Sequence, residues 1–115
     1  MATYYHGTHH SDLPIHAGLC LTPSEDAAAD YGSNVHSVEI DLGGLNVERL
    51  WFSDEEIRQM RDDNEWPCDR DSQIAEYVAR GIDAIIFDDA SGNGAEHKTL
   101  RLLSDRALAA VAVAA

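Results

Sequence analysis

Tyr4-Tyr5-His6-Gly7-Thr8 is the stretch on which the reading of this chain turns. Aromatic side chains favour a pleated, half-buried strand. A glycine removes the Cβ and lets another group approach the backbone. The pattern predicts a first strand over 3–6 that ends by presenting an imidazole, a bare peptide unit and a hydroxyl in consecutive positions. Such a row suits a flat ligand that carries an amide. An isolated His-Gly-Thr is more often a satisfied strand end, so its meaning depends on what the rest of the chain places around it.

The following loop, His9-His10-Ser11-Asp12-Leu13-Pro14, is polar and broken by proline. Gly18-Leu19-Cys20-Leu21 is apolar but too short to assign by period. Thr22-Pro23-Ser24-Glu25 reads as a helix start, with Thr22 as cap, Pro23 in the first helical position and Glu25 completing a capping box. That helix is expected to run through Ala27, Ala28 and Ala29 to Tyr31, where Gly32 stops it. Residues 37–42 alternate, with Val38, Ile40 and Leu42 on one side, which predicts a half-buried strand. Gly43-Gly44 turns the chain into a brief extended piece at 45–47.

Ser53-Asp54-Glu55-Glu56 forms a second capping box and opens a helix to about Asp62. An irregular acidic stretch, 62–71, holds Trp66-Pro67-Cys68. A third helix is expected over 71–80, with Ile74, Tyr77 and Val78 inward and Gly81 as its stop. The apolar run 82–87 reads as a buried strand, 88–94 as a hairpin-type loop and 96–103 as the returning strand. An edge strand is expected within 107–113. This order is not an alternating βαβ series, so it predicts an α+β fold with antiparallel pairing and about three short helices.

The length of 115 residues favours a single domain over 1–115. Such a chain buries roughly two thirds of its unfolded surface, enough for one core. The formal charge of −13, with only eight Lys and Arg, disfavours a generic nucleic-acid binder and favours a basic protein partner. Solubility alone also accounts for acidity. Cys20 and Cys68 form no CxxC pair, so reduced thiols in a cytoplasmic setting are expected, with a single disulfide still open. The start lacks a basic region followed by an apolar run, and the alanine-rich end is too short to span a bilayer, so no membrane role is expected.

Three further features carry possible chemistry. Tyr31 follows Ala27 and Ala28 at helical spacing, which leaves room for a planar ligand on its ring. Glu96 stands at a strand start after a glycine-bearing loop, where a carboxylate can stabilise positive charge developing on a sugar. His6, His9 and His10 would share a face on a helix, but Tyr-Tyr and Gly-Thr argue against a helix, so no metal site is expected.

Together these pieces resemble the ADP-ribosyltransferase superfamily, in the His-Tyr-Glu branch of the poly-ADP-ribose polymerases and diphtheria-like toxins. Tyr5-His6-Gly7-Thr8 matches the first motif, Gly18-Leu19-Cys20-Leu21 through Tyr31 the second, and Glu96 the third. Residues 81–87 and 96–100 look like the family's closing strand pair. The resemblance implies split antiparallel sheets and NAD⁺ as substrate. It implies that His6 bonds a ribose hydroxyl, Gly7 clasps the nicotinamide amide through its backbone, Thr8 supports the pocket and Tyr31 stacks on the nicotinamide. Glu96 would be the catalytic carboxylate.

The chain also departs from the pattern. Cys20 stands where polymerase-type members place a second stacking tyrosine, and Ala28 replaces a serine. Gly94 stands where the arginine-modifying branch carries an acidic or amide residue, so an arginine target is not implied. The resemblance implies mono-ADP-ribosylation of a macromolecular target, and size and acidity are similar to small phage-encoded members that disable host or defence components. Two alternatives stay open: a non-catalytic acidic adaptor that binds a basic protein surface through 53–71, and an NAD⁺-dependent RNA 2′-phosphotransferase, which the shortage of cations disfavours.

Overall fold

The computed structural model describes residues 2–90 and 96–113. The first strand, β1 (Ala2–Thr8), is longer than its aromatic signature suggests. A later strand, β3 (Asn34–Ile40), pairs with it antiparallel along its whole length, from Ala2 opposite Ile40 to Thr8 opposite Asn34. His6-Gly7-Thr8 therefore forms the last three residues of the strand. The apolar run after Gly18 is a strand, β2 (Leu19–Leu21).

The first helix, α1, spans only Glu25–Ala29. Its cap is Ser24, whose Oγ accepts the Ala27 N–H at 3.1 Å. Thr22 does not cap because it is held extended against Tyr5, with backbone N–H···O bonds of 2.7 and 2.9 Å between the two residues. Its hydroxyl instead accepts the Ser24 N–H. Asp30 closes the helix, so Tyr31 sits past the last turn and not within it.

Beyond β3, a short 3₁₀ turn over Leu42–Gly44 precedes β4 (Val47–Arg49). Helix α2 (Asp54–Asp63) has the expected capping box, with both Ser53–Glu56 hydrogen bonds formed, and Asn64 at φ 50° ends it. Helix α3 (Asp71–Ala79) ends before Gly81, whose φ of +83° suits glycine. Its buried contact is Ile74, with Tyr77 beside it, whereas Val78 faces solvent.

Strands β5 (Ala84–Ala90) and β6 (Glu96–Leu102) pair antiparallel, which draws Asp88 and Asp89 into the sheet opposite Lys98 and His97. The expected loop thus begins later, and its remainder lies in 91–95, outside the described residues. The stretch read as an edge strand is mostly a fourth helix, α4 (Asp105–Ala109), followed by the short β7 (Ala112–Val113). The Ser104 hydroxyl accepts the Ala107 N–H and starts that helix.

Two sheets result, β1-β3-β7 and β2-β6-β5-β4. The first is antiparallel, while the second includes one parallel pair, β4 with β5, where antiparallel pairing was expected. Leu19, Leu21, Leu100 and Leu102 of the second sheet meet Val38 and Ile40 of the first in the main core. Each fully buried aliphatic side chain of this kind stabilises by roughly 1.5–3 kcal/mol. A second cluster, Ile85 and Phe87 with Cys68, Ile74 and Leu103, packs α3 and the segment before it onto the second sheet. Both cysteines are free thiols. Among the described residues, no helix is long and apolar enough to cross a membrane.

Candidate functional site

Tyr5 of β1 is bridged to Thr22, the residue after β2, so the edge strands of the two sheets meet there. A cleft of about 260 Å³ lies there. His6 and Gly7 of β1, Cys20 of β2, and Ala28 and Tyr31 around α1 line it. Phe87 and Asp89 of β5, with His97, Thr99 and Arg101 of β6, line it as well. Trp66 and Asp69 reach it from the segment between α2 and α3.

His6 is half-buried, and its Nδ1 lies 2.7 Å from the Cys20 carbonyl. A carbonyl only accepts, so Nδ1 carries the proton and Nε2 is the acceptor nitrogen. Burial lowers the pKa of this imidazole, opposed by the bond to Cys20 and assisted by His36 and His16. Burial thus favours the neutral His6 ring, with its proton on Nδ1.

Gly7 has a structural reason to lack a side chain. A Cβ there would fall 1.7 Å from the Ala28 carbonyl oxygen. The end of α1 occupies the space on that side of the backbone. Gly32 repeats the contact, since its Cβ would come within 2.3 Å of the Thr8 carbonyl carbon. Thr8 is buried and is not among the cleft-lining residues. Its hydroxyl accepts the His10 N–H at 3.2 Å and so holds the turn out of β1.

Cys20 lines the cleft as a thiol, since burial pushes its pKa to about 11. Tyr31 is 44% exposed, and its hydroxyl meets His97 Nε2 at 3.1 Å. The two rings stand edge to face, with centroids 5.9 Å apart. Burial raises the pKa of this phenol well above the ordinary value, with the charge of Asp89 as the next contribution. Glu96 opens β6 opposite Ala90, and its side chain lies outside the described residues, as does Gly94. His9 and His10 are exposed, and no group of three His, Cys, Asp or Glu among the described residues is placed to hold a metal.

Asp89, His97, Trp66 and Arg101 are among the lining residues that were not expected. Asp89 is 8% exposed and accepts the Thr99 hydroxyl at 3.0 Å. His97 joins it across the β5–β6 pair. Trp66 stacks on Phe87, with centroids 6.3 Å apart and planes 22° from parallel. Arg101 pins the segment that carries Trp66, since its Nε donates to the Gly18 carbonyl and its Nη1 to the Pro67 carbonyl and Asp69. The usable signal was strand alternation: with Leu100 and Leu102 in the core, 97, 99 and 101 fall on the opposite face.

Compared with protein-family models, curated proteins and solved structures, the chain matches none.

Proposed function

We propose that this protein is an NAD⁺-dependent mono-ADP-ribosyltransferase that cleaves the nicotinamide–ribose bond and passes ADP-ribose to a macromolecular acceptor, a protein. What supports this reading most is the meeting of His6, Cys20 and Tyr31, from three separate segments, in one cleft. Pockets for drug-sized ligands run to about 300–1,000 Å³, so a smaller cleft suits the nicotinamide–ribose end rather than the whole dinucleotide.

Within that reading, His6 offers Nε2 as acceptor to a ribose hydroxyl, and the Tyr31 ring covers the nicotinamide. The Gly7 backbone bonds the carboxamide, and Glu96 is assigned the carboxylate that steadies the oxocarbenium ion. As the C1′–N bond breaks, its electron pair leaves with neutral nicotinamide, and an acceptor lone pair closes on C1′. Recruitment of a basic partner draws support from the exposed acids Asp54, Glu55, Glu56, Asp62 and Asp63 along α2.

Nicotinamide release from NAD⁺ by the parent and by Glu96→Gln tests the assignment. Expected is a folded variant that binds NAD⁺ as the parent does and loses most turnover. Equal rates would remove Glu96 from its role.

A further inference from the structure

The Tyr31 hydroxyl touches His97 Nε2 at 3.1 Å. On the far side of the same ring, Nδ1 faces the Lys98 carbonyl at 3.3 Å and Thr99 Oγ1 at 3.5 Å. Thr99 donates its own hydroxyl proton to Asp89 at 3.0 Å, so toward His97 it offers a lone pair. Both neighbours of Nδ1 are thus acceptors, which places the ring proton on Nδ1. In the neutral ring Nε2 keeps its lone pair and accepts the Tyr31 O–H. The direction of every bond is then set, running from Tyr31 through His97 and Thr99 to the buried Asp89.

A neutral imidazole with a bare nitrogen, backed by a buried carboxylate, is a proton acceptor. The phenol between it and the cleft is too weak an acid to ionise unaided, because its pKa is raised. We infer that the Tyr31–His97–Thr99–Asp89 chain takes up the proton of the nucleophile that attacks the sugar, a role that rests on the NAD⁺ reading above. The nucleophile, water or an acceptor O–H or N–H, forms its bond to C1′ while the C1′–N pair departs with nicotinamide. Its proton passes to the Tyr31 oxygen as the Tyr31 proton passes to His97 Nε2. The imidazolium formed lies near Asp89 and afterwards returns the proton to water, so atoms and charge balance. Tyr31 is the catalytic residue of this step, and His97, Thr99 and Asp89 are positioning residues behind it. The other ionisable groups lining the cleft are Tyr5, His6, Cys20, Asp69 and Arg101.

The test uses the full chain, with NAD⁺ as the probe and water as nucleophile. Calorimetry measures NAD⁺ binding, and nicotinamide release is followed against pH. The parent is expected to show a rate that rises with pH through one ionisation. His97→Gln should lower kcat about a hundredfold with KM nearly unchanged, and should abolish that acid limb. Asp89→Ala should also lower kcat with KM nearly unchanged, because the Thr99 hydroxyl loses the acceptor that fixes its direction. Imidazole in the buffer should restore part of the rate to His97→Ala. Circular dichroism establishes that each variant is folded. A folded His97→Gln enzyme with the parental rate, or with a lower rate but the same acid limb, overturns the inference and leaves the NAD⁺ reading intact. A parent that neither binds NAD⁺ nor releases nicotinamide overturns both.

Discussion

Gly7 lies flat against the carbonyl of Ala28, so close that a Cβ at residue 7 would stand 1.7 Å from that oxygen. This contact seats the end of α1 on β1, and Tyr31 and His6 line the same cleft. Gly7→Ala should destabilise the fold by about 3 kcal/mol, because backbone must move on both sides. Gly32→Ala, pressed on Thr8, should behave alike. Gly44→Ala is the control, since nothing lies within 4 Å of its Cβ, and its effect should stay within about 0.5 kcal/mol. Denaturant unfolding of the three variants measures the difference.

Asp83 ties three segments together. Its carboxylate accepts the Asn46 N–H at 2.8 Å and the Ser104 hydroxyl at 2.7 Å, with Arg106 3.2 Å away. The Asn46 bond first, then the Ser104 bond, lowers its pKa below the ordinary 3.8. A lowered folded pKa means that the stabilisation is complete above the unfolded value and is lost as pH falls below it. The melting temperature should therefore drop on acidification below about pH 4. Asp83→Asn should melt lower at neutral pH and show a shallower acid dependence.

Arg101 is the pin of the Trp66 wall. Arg101→Met removes its charge-assisted bonds to Asp69 and to the Gly18 and Pro67 carbonyls, and should cost on the order of 2–3 kcal/mol. Hydrogen exchange should quicken first across 64–70, because that segment loses its tie to β6.

Ser53→Ala removes the side-chain half of the capping box on α2 and should lower stability by about 1 kcal/mol. Thr22→Val should have a smaller effect on α1, since Ser24 is the cap there. Thermal melts of both variants compare the two starts directly.

These contrasts show what local patterning reveals. Ser53 and Glu56 act within four residues of one another, and their box could be read directly. Thr22 offered an equally good local signature, yet its backbone is taken by Tyr5, a partner far away in sequence. Asp88 and Asp89 have turn-like neighbours, and only pairing with Lys98 and His97 makes them strand. His6, Cys20 and Tyr31 were marked in advance, and they do share a cleft. Asp89, His97 and Arg101 were not, because what distinguishes them is position across a sheet, which composition does not record. The reason for Gly7 was also hidden, since the Ala28 carbonyl that requires it is brought there by tertiary packing.

Nicotinamide release from NAD⁺, measured side by side for the parent, His6→Ala and Tyr31→Ala, tests most directly whether this cleft is an NAD⁺ site. Release by the parent, with NAD⁺ affinity and turnover both falling sharply in the two folded variants, is the predicted result. Release that is absent from the parent, or that continues undiminished without the imidazole and the phenol, would contradict it.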